Sequence, residues 1–122
     1  MSPEVPSTPE AAAAACLQAL DGALFRALSE PSRVDILRTL IVRGRSDVST
    51  IASESPRDRS VTTRHLRVLL DAGLLRSTRE GRQIYYELDG EGVVTQLEQL
   101  TSLLRALVPL CCPPSCGPTE AT

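Results

Sequence analysis

Apolar residues recur along most of this chain at helical spacing. Between Glu10 and Leu28 an alanine-rich stretch carries Leu17, Leu20, Leu24 and Leu28 three and four residues apart, one stripe of a helix. Gly22 is expected to divide that stretch into two helices. Ser29-Glu30-Pro31-Ser32 is a start signal, with Ser29 or Ser32 as the cap and Pro31 in the first turn. The helix after it is expected to bury Val34, Leu37, Leu40 and Ile41 and to stop at Gly44. Asp47 then caps a short helix around Val48, Ile51 and Ala52, which Glu54-Ser55-Pro56 ends. The next helix starts near Asp58 or Ser60 and runs to Asp71, with Val61, Leu66, Leu69 and Leu70 inward and Gly73 as its C-terminal cap.

At Leu74 the period changes. Leu74–Arg79 and Gln83–Leu88 read as two strands hinged at Glu80-Gly81-Arg82. From Glu91 the pattern is helical again, and Val93, Leu97, Leu100, Leu104 and Leu107 step by four and three, the seam spacing of a helix that pairs with another helix. Pro109 is expected to end it. Two short helices joined by a tight turn, followed by a basic hairpin, make a helix-turn-helix with a two-stranded β wing. The expected fold is therefore mainly α, a winged helix. Its parts are a flexible lead at 1–9, the folded domain at 10–108 and a tail at 109–122. No internal repeat is present.

Composition sharpens this. The 122 residues suit one domain, and the only aromatic residues are Phe25, Tyr85 and Tyr86, so the core must be built from Leu, Val, Ile and Ala. A chain this short buries proportionally little surface, which favours dimerisation. The net charge of −2 on its own argues against a general nucleic-acid sponge. Placement matters more: residues 57–82 hold seven arginines against Asp58, Asp71 and Glu80. Arg57, Arg59, Arg64 and Arg67 stand among Ser60, Thr62 and Thr63, hydroxyl side chains that reach phosphates and base edges, while His65 serves equally as a packing residue or a contact. Arg64 suits a guanine edge, the other three phosphates, and Arg79 and Arg82 of the wing the backbone or minor groove.

Three of the four cysteines, Cys111, Cys112 and Cys116, fall within six residues. The Met-Ser-Pro-Glu opening has no basic start followed by an apolar run, and no stretch is long enough for a membrane span, so a cytoplasmic chain with reduced thiols is expected. Clustered thiolates suit soft ions. Trivalent arsenic or antimony accepts three of them, whereas structural zinc needs a fourth ligand. Cys16 is a candidate for that fourth across a dimer, or a small core residue. No Cys/His pair, glycine-rich phosphate loop or paired carboxylates support catalysis, so an enzyme is not expected.

Leu24-Phe25-Arg26-Ala27-Leu28-Ser29-Glu30-Pro31-Ser32-Arg33-Val34-Asp35-Ile36-Leu37 resembles the opening of the arsenic-repressor (ArsR/SmtB) family of metal-sensing transcription factors. Ser60–Leu69 with Ala72-Gly73-Leu74-Leu75 is similar to the recognition segment of that family, and Arg79-Glu80-Gly81-Arg82 with Tyr85-Tyr86 to its wing. The resemblance covers roughly residues 20–108. It implies a homodimer, joined through the first and last helices, that represses an operon at an inverted-repeat operator in double-stranded DNA until an inducer binds. Leu17 and Leu20 would join the seam of the last helix in that interface. Two familiar sensing sites are missing: Val48-Ser49-Thr50 stands where a Cys-x-Cys pair would lie, and the single histidine, His65, leaves no His/Asp zinc site on the last helix. The cysteines at 111, 112 and 116 resemble a variant of some arsenic-responsive members, which implies As(III), Sb(III) or a methylated arsenical as inducer. A redox signal, or Hg(II) or Cd(II), acting on the same fold is the alternative, and a metal-buffering dimerisation module without DNA binding is a third.

Overall fold

A computed structural model describes residues 8–111. Ala23–Val94 form one compact unit, and the chain before and after them a second.

The first unit is the winged helix. Helices α2 (Ala23–Leu28), α3 (Pro31–Arg43), α4 (Val48–Ser53) and α5 (Arg59–Asp71) enclose an aliphatic core with strands β1 (Ser46–Asp47), β2 (Leu75–Glu80) and β3 (Gln83–Leu88). Leu24, Ala27, Ile36, Leu37, Leu40, Ile51, Leu66, Leu69, Leu74 and Tyr86 are all buried in one cluster. Each fully buried leucine contributes about 1.5–3 kcal/mol. The sheet order is β1-β3-β2, all antiparallel, so the wing has three strands and not two. The added strand is two residues long, too short for an alternation to show, and exists only because Ser46 and Asp47 pair with Tyr86 and Tyr85.

Local chemistry sets the helix ends. Asp47 and Asp58 cap α4 and α5, accepting from the amides of Thr50 and Val61 at 3.0 Å each. Helix α3 is capped by Glu30 rather than by a serine: its carboxylate accepts from the Ser32 amide at 3.2 Å, with Pro31 in the first turn. At the end of α5 the amide of Gly73 bonds Leu70 O and that of Leu74 bonds Leu69 O, both at 3.0 Å, a Schellman closure that needs the positive φ of 79° at Gly73. The inward face of α3 differs from expectation. Ile36, Leu37 and Leu40 are buried, whereas Val34 and Ile41 are exposed. Those two lie on the far side of a helix that is apolar on both sides.

The second unit contains α1 (Pro9–Leu20) and most of α6 (Gly90–Cys111), which begins in the first unit. Asp21-Gly22 separates α1 from α2. On α1 the buried residues are Ala12 and Cys16, while Leu17 and Leu20 are exposed. Helix α6 has no buried residue, and Leu97 and Leu104 are 42% and 41% exposed. It runs through Pro109 to Cys111. So close to a helix end, proline removes one of the last intrahelical hydrogen bonds and leaves little helix to disrupt. Among the described residues no helix is long and apolar enough to cross a membrane.

Candidate nucleic-acid interface

Helix α5 sorts its residues by angle. At about 100° per residue, Thr62, Leu66 and Leu69 share one side, and all three are buried. Ser60, Arg64 and Arg67 fall on the opposite side, Thr63 about a quarter turn from the core side, and all four are exposed. Arg59 and His65 occupy the two flanks. The core residues thus drive the basic stripe outward.

The stripe is organised from its N-terminus. Asp58 also accepts from the Ser60 hydroxyl at 2.9 Å. The Val61 amide, then the Ser60 hydroxyl, hold its carboxyl below the usual carboxylate range. The Thr63 hydroxyl donates to Arg59 O at 2.9 Å. Both hydroxyls therefore donate within the helix and its cap, which leaves their oxygens only as acceptors for a ligand. Arg64 and Arg67 form no salt bridge among the described residues.

The other expected contacts divide. Arg59 leans on α4, donating from Nη1 to Ser49 Oγ at 2.9 Å. Arg57 donates to Ser55 Oγ at 2.8 Å and borders a groove of about 620 Å³ with Asp35, Arg38 and Thr39 of α3, away from the stripe. His65 turns Nδ1 toward Arg33 Nη1 at 3.4 Å, and burial, then the Arg33 charge, hold its pKa below 6.5. Thr62 is corrected outright. At 1% exposed, with its hydroxyl donating to Asp58 O at 3.2 Å, it is a core residue and reaches no ligand. Since Asp58 O keeps the Thr62 amide at 3.1 Å, Thr62→Val leaves no orphaned acceptor. It should change stability by under about 1 kcal/mol and DNA affinity by less than about twofold; a tenfold loss of affinity at unchanged stability would return Thr62 to the contact surface.

The wing presents the remaining arginines. Glu80 and Gln83 pair across a two-residue turn, with Gly81 at φ 62° in its first position and Arg82 in its second. Arg79 and Arg82 are exposed and carry no salt bridge among the described residues. Arg45, in the loop before β1, bonds Glu80 at 2.7 Å and lies 4.1 Å from the Tyr85 ring centroid. It braces the wing close to its tip. Arg45 and Arg33 escape a reading by pattern, since neither sits in a run or a periodic position.

Of the expected metal ligands, Cys111 is the last residue of α6 and exposed, and Cys112 and Cys116 lie outside the described residues. Cys16 is buried at 3%. Among the described residues, no three His, Cys, Asp or Glu side chains gather as a metal site.

No protein-family model matches the chain. It is 33% identical over 82 residues to the arsenical resistance operon repressor of Bacillus subtilis, covering 66% of this chain and 78% of that protein. The chain belongs to the ArsR family. A second relative, the cadmium resistance transcriptional regulatory protein CadC homolog of Staphylococcus aureus, is 33% identical over 76 residues, 62% of this chain and 63% of its own, so just under two thirds of its length is spanned. In structure, this ArsR-family chain is similar to the homodimeric winged helix-turn-helix DNA-binding domain of a possible ArsR-family regulator from Mycobacterium bovis. That likeness has a TM-score of 0.56 at 26% identity, over 80% of this chain and 87% of that one. These relatives are regulators of transcription, not enzymes.

Proposed function

We propose that the protein is a metalloid-responsive transcriptional repressor that binds operator DNA as a homodimer and leaves it when As(III) is held by Cys111, Cys112 and Cys116. The observation that carries this reading is the exposed stripe of Ser60, Thr63, Arg64 and Arg67 on α5, turned away from the core, its arginines in no salt bridge among the described residues. Its two acceptor hydroxyls and two guanidinium forks match the donor and acceptor edges of a major groove. Arg79 and Arg82 on the wing, with Arg59 beside the stripe, add sequence-independent phosphate contacts. The dimer forms through Leu17 and Leu20 of α1 and through Val93, Leu97, Leu100, Leu104 and Leu107 of α6. Among the described residues none of α6 is fully buried, and Leu97 and Leu104 of that seam are exposed.

Three thiolates offer trivalent arsenic the soft donors it takes. Because Cys111 terminates α6, tying its thiol to those of Cys112 and Cys116 constrains the end of the dimer helix. The seam transmits that constraint to both reading heads. A coupling of about 1–3 kcal/mol releases the operator by roughly 5–150-fold. The arsenical and cadmium resistance relatives favour a metal or metalloid over a redox signal.

The test is operator release by As(III), Sb(III), Hg(II), Cd(II) and peroxide, each added separately. Cys112→Ser should abolish release by As(III). Release that survives in Cys116→Ser defines a two-thiol site, and release by peroxide alone overturns the metalloid reading. If no duplex is bound at low salt, the repressor reading fails.

A further inference from the structure

Arg33, in the first turn of α3, ties three segments together. Its Nε donates to Ala27 O at 2.8 Å and its Nη2 to Arg26 O at 3.3 Å, both near the C-terminal end of α2. Its Nη1 lies 3.4 Å from His65 Nδ1 on the recognition helix. An arginine has only donors, so Nδ1 is the acceptor and the proton of the neutral imidazole sits on Nε2. His65 lies on the flank of α5 between the buried side and the basic stripe, where a tether resists rotation of the helix about its axis.

We infer that Arg33 and His65 form a positioning pair: Arg33, anchored on the carbonyls of α2, fixes the rotation of α5 through the neutral imidazole and so aims Arg64 and Arg67 at DNA. This role rests on the DNA-binding reading above. His65 is then a residue that acts through the stripe and does not itself touch the duplex.

The charged groups whose fields act on His65 are Arg33 and Glu30 at the start of α3, Arg57 in the α4–α5 connection, and Arg64 one residue before it. Three are cations and only Glu30 opposes them. Protonation would place a hydrogen on Nδ1, remove the acceptor and set a positive charge against Arg33. The native arrangement therefore favours the neutral ring, in keeping with a pKa lowered by burial first and Arg33 second. The sign follows: the tether is intact above the usual 6.5 and is lost as pH falls through the lowered native value. A His65 that touched phosphate would do the reverse, because an imidazolium binds an anion better than imidazole does.

The chain has a single histidine, so a transition of this kind can be assigned. Fluorescence anisotropy would follow full-length protein on a duplex that the protein itself selects from a random-sequence pool, from pH 7.5 to 5.5. Wild type should weaken threefold to tenfold across that range. In His65→Asn the amide oxygen replaces Nδ1 as acceptor and cannot titrate, so affinity should stay within about threefold of wild type and lose its pH dependence. His65→Leu should be weaker at pH 7.5 and equally flat, with circular dichroism confirming that it folds. Imidazole 15N shifts should report the Nε2–H tautomer. Affinity that rises on acidification, or a wild-type profile as flat as that of His65→Asn, overturns the pair while leaving the DNA-binding reading standing. Failure of wild type to select any duplex at pH 7.5 overturns both.

Discussion

Leu69→Ala should destabilise the winged-helix unit by about 2–5 kcal/mol. That is a large part of the roughly 5–15 kcal/mol that holds a typical domain folded. Leu69 and Leu66 are 0% exposed and pack in the cluster with Leu24, Ile36 and Leu40 from other helices. The cluster is close-packed from several elements at once, so the space left behind is refilled only in part. Urea or thermal unfolding followed by circular dichroism measures the loss. Val68→Ala, one residue away but 39% exposed, should change stability by no more than about 0.5 kcal/mol. Equal losses at the two sites would mean that α5 does not present the side described.

Arg64→Ala should weaken operator binding by about 1–3 kcal/mol and relax discrimination at the base pair it contacts. Arg67→Ala should instead weaken all sequences alike and lower the slope of log affinity against log salt by about one. The contrast comes from position: both side chains share the exposed side of α5, but Arg64 lies a turn nearer the helix N-terminus, the end that a recognition helix brings to base edges. Titration of each variant against the selected duplex and its single-base variants, at several salt concentrations, separates the roles. An Arg64→Ala protein that keeps full discrimination would remove Arg64 from the base-reading set.

The elements legible in the chain were those governed by short-range chemistry. The caps at Asp47 and Asp58, the closure at Gly73, the hairpin at Gly81 and the break at Gly22 each depend on one residue and its near neighbours. What eluded the pattern depends on distance or phase. Helix α3 is apolar on both sides, so spacing alone could not select Ile36 over Val34 and Ile41. Strand β1 exists only through its partners on β3. In sequence Thr62 reads as one of the polar residues around it, because a hydroxyl near arginines suggests contact, yet the helical angle it shares with Leu66 places it inside. The arginine surface was readable as a density of charge. Its division into an outward stripe, a flank on Ser49 and a groove residue at Arg57 was not, because that division is made by tertiary packing.

The two-residue turn at Gly81-Arg82 has a mechanical consequence. The strands stay in register to Glu80 and Gln83, and Arg45 clasps Glu80 from the loop before β1, so the hairpin is paired up to its turn. On the proposed DNA-binding role, Arg82 and the α5 stripe would act as the jaws of a caliper whose opening is set by the backbone of the wing. Lengthening the turn would change which groove spacing the protein fits while leaving every base-reading side chain untouched. On that role, spacing preference and base preference would be stored in separate parts of the chain and could be retuned independently.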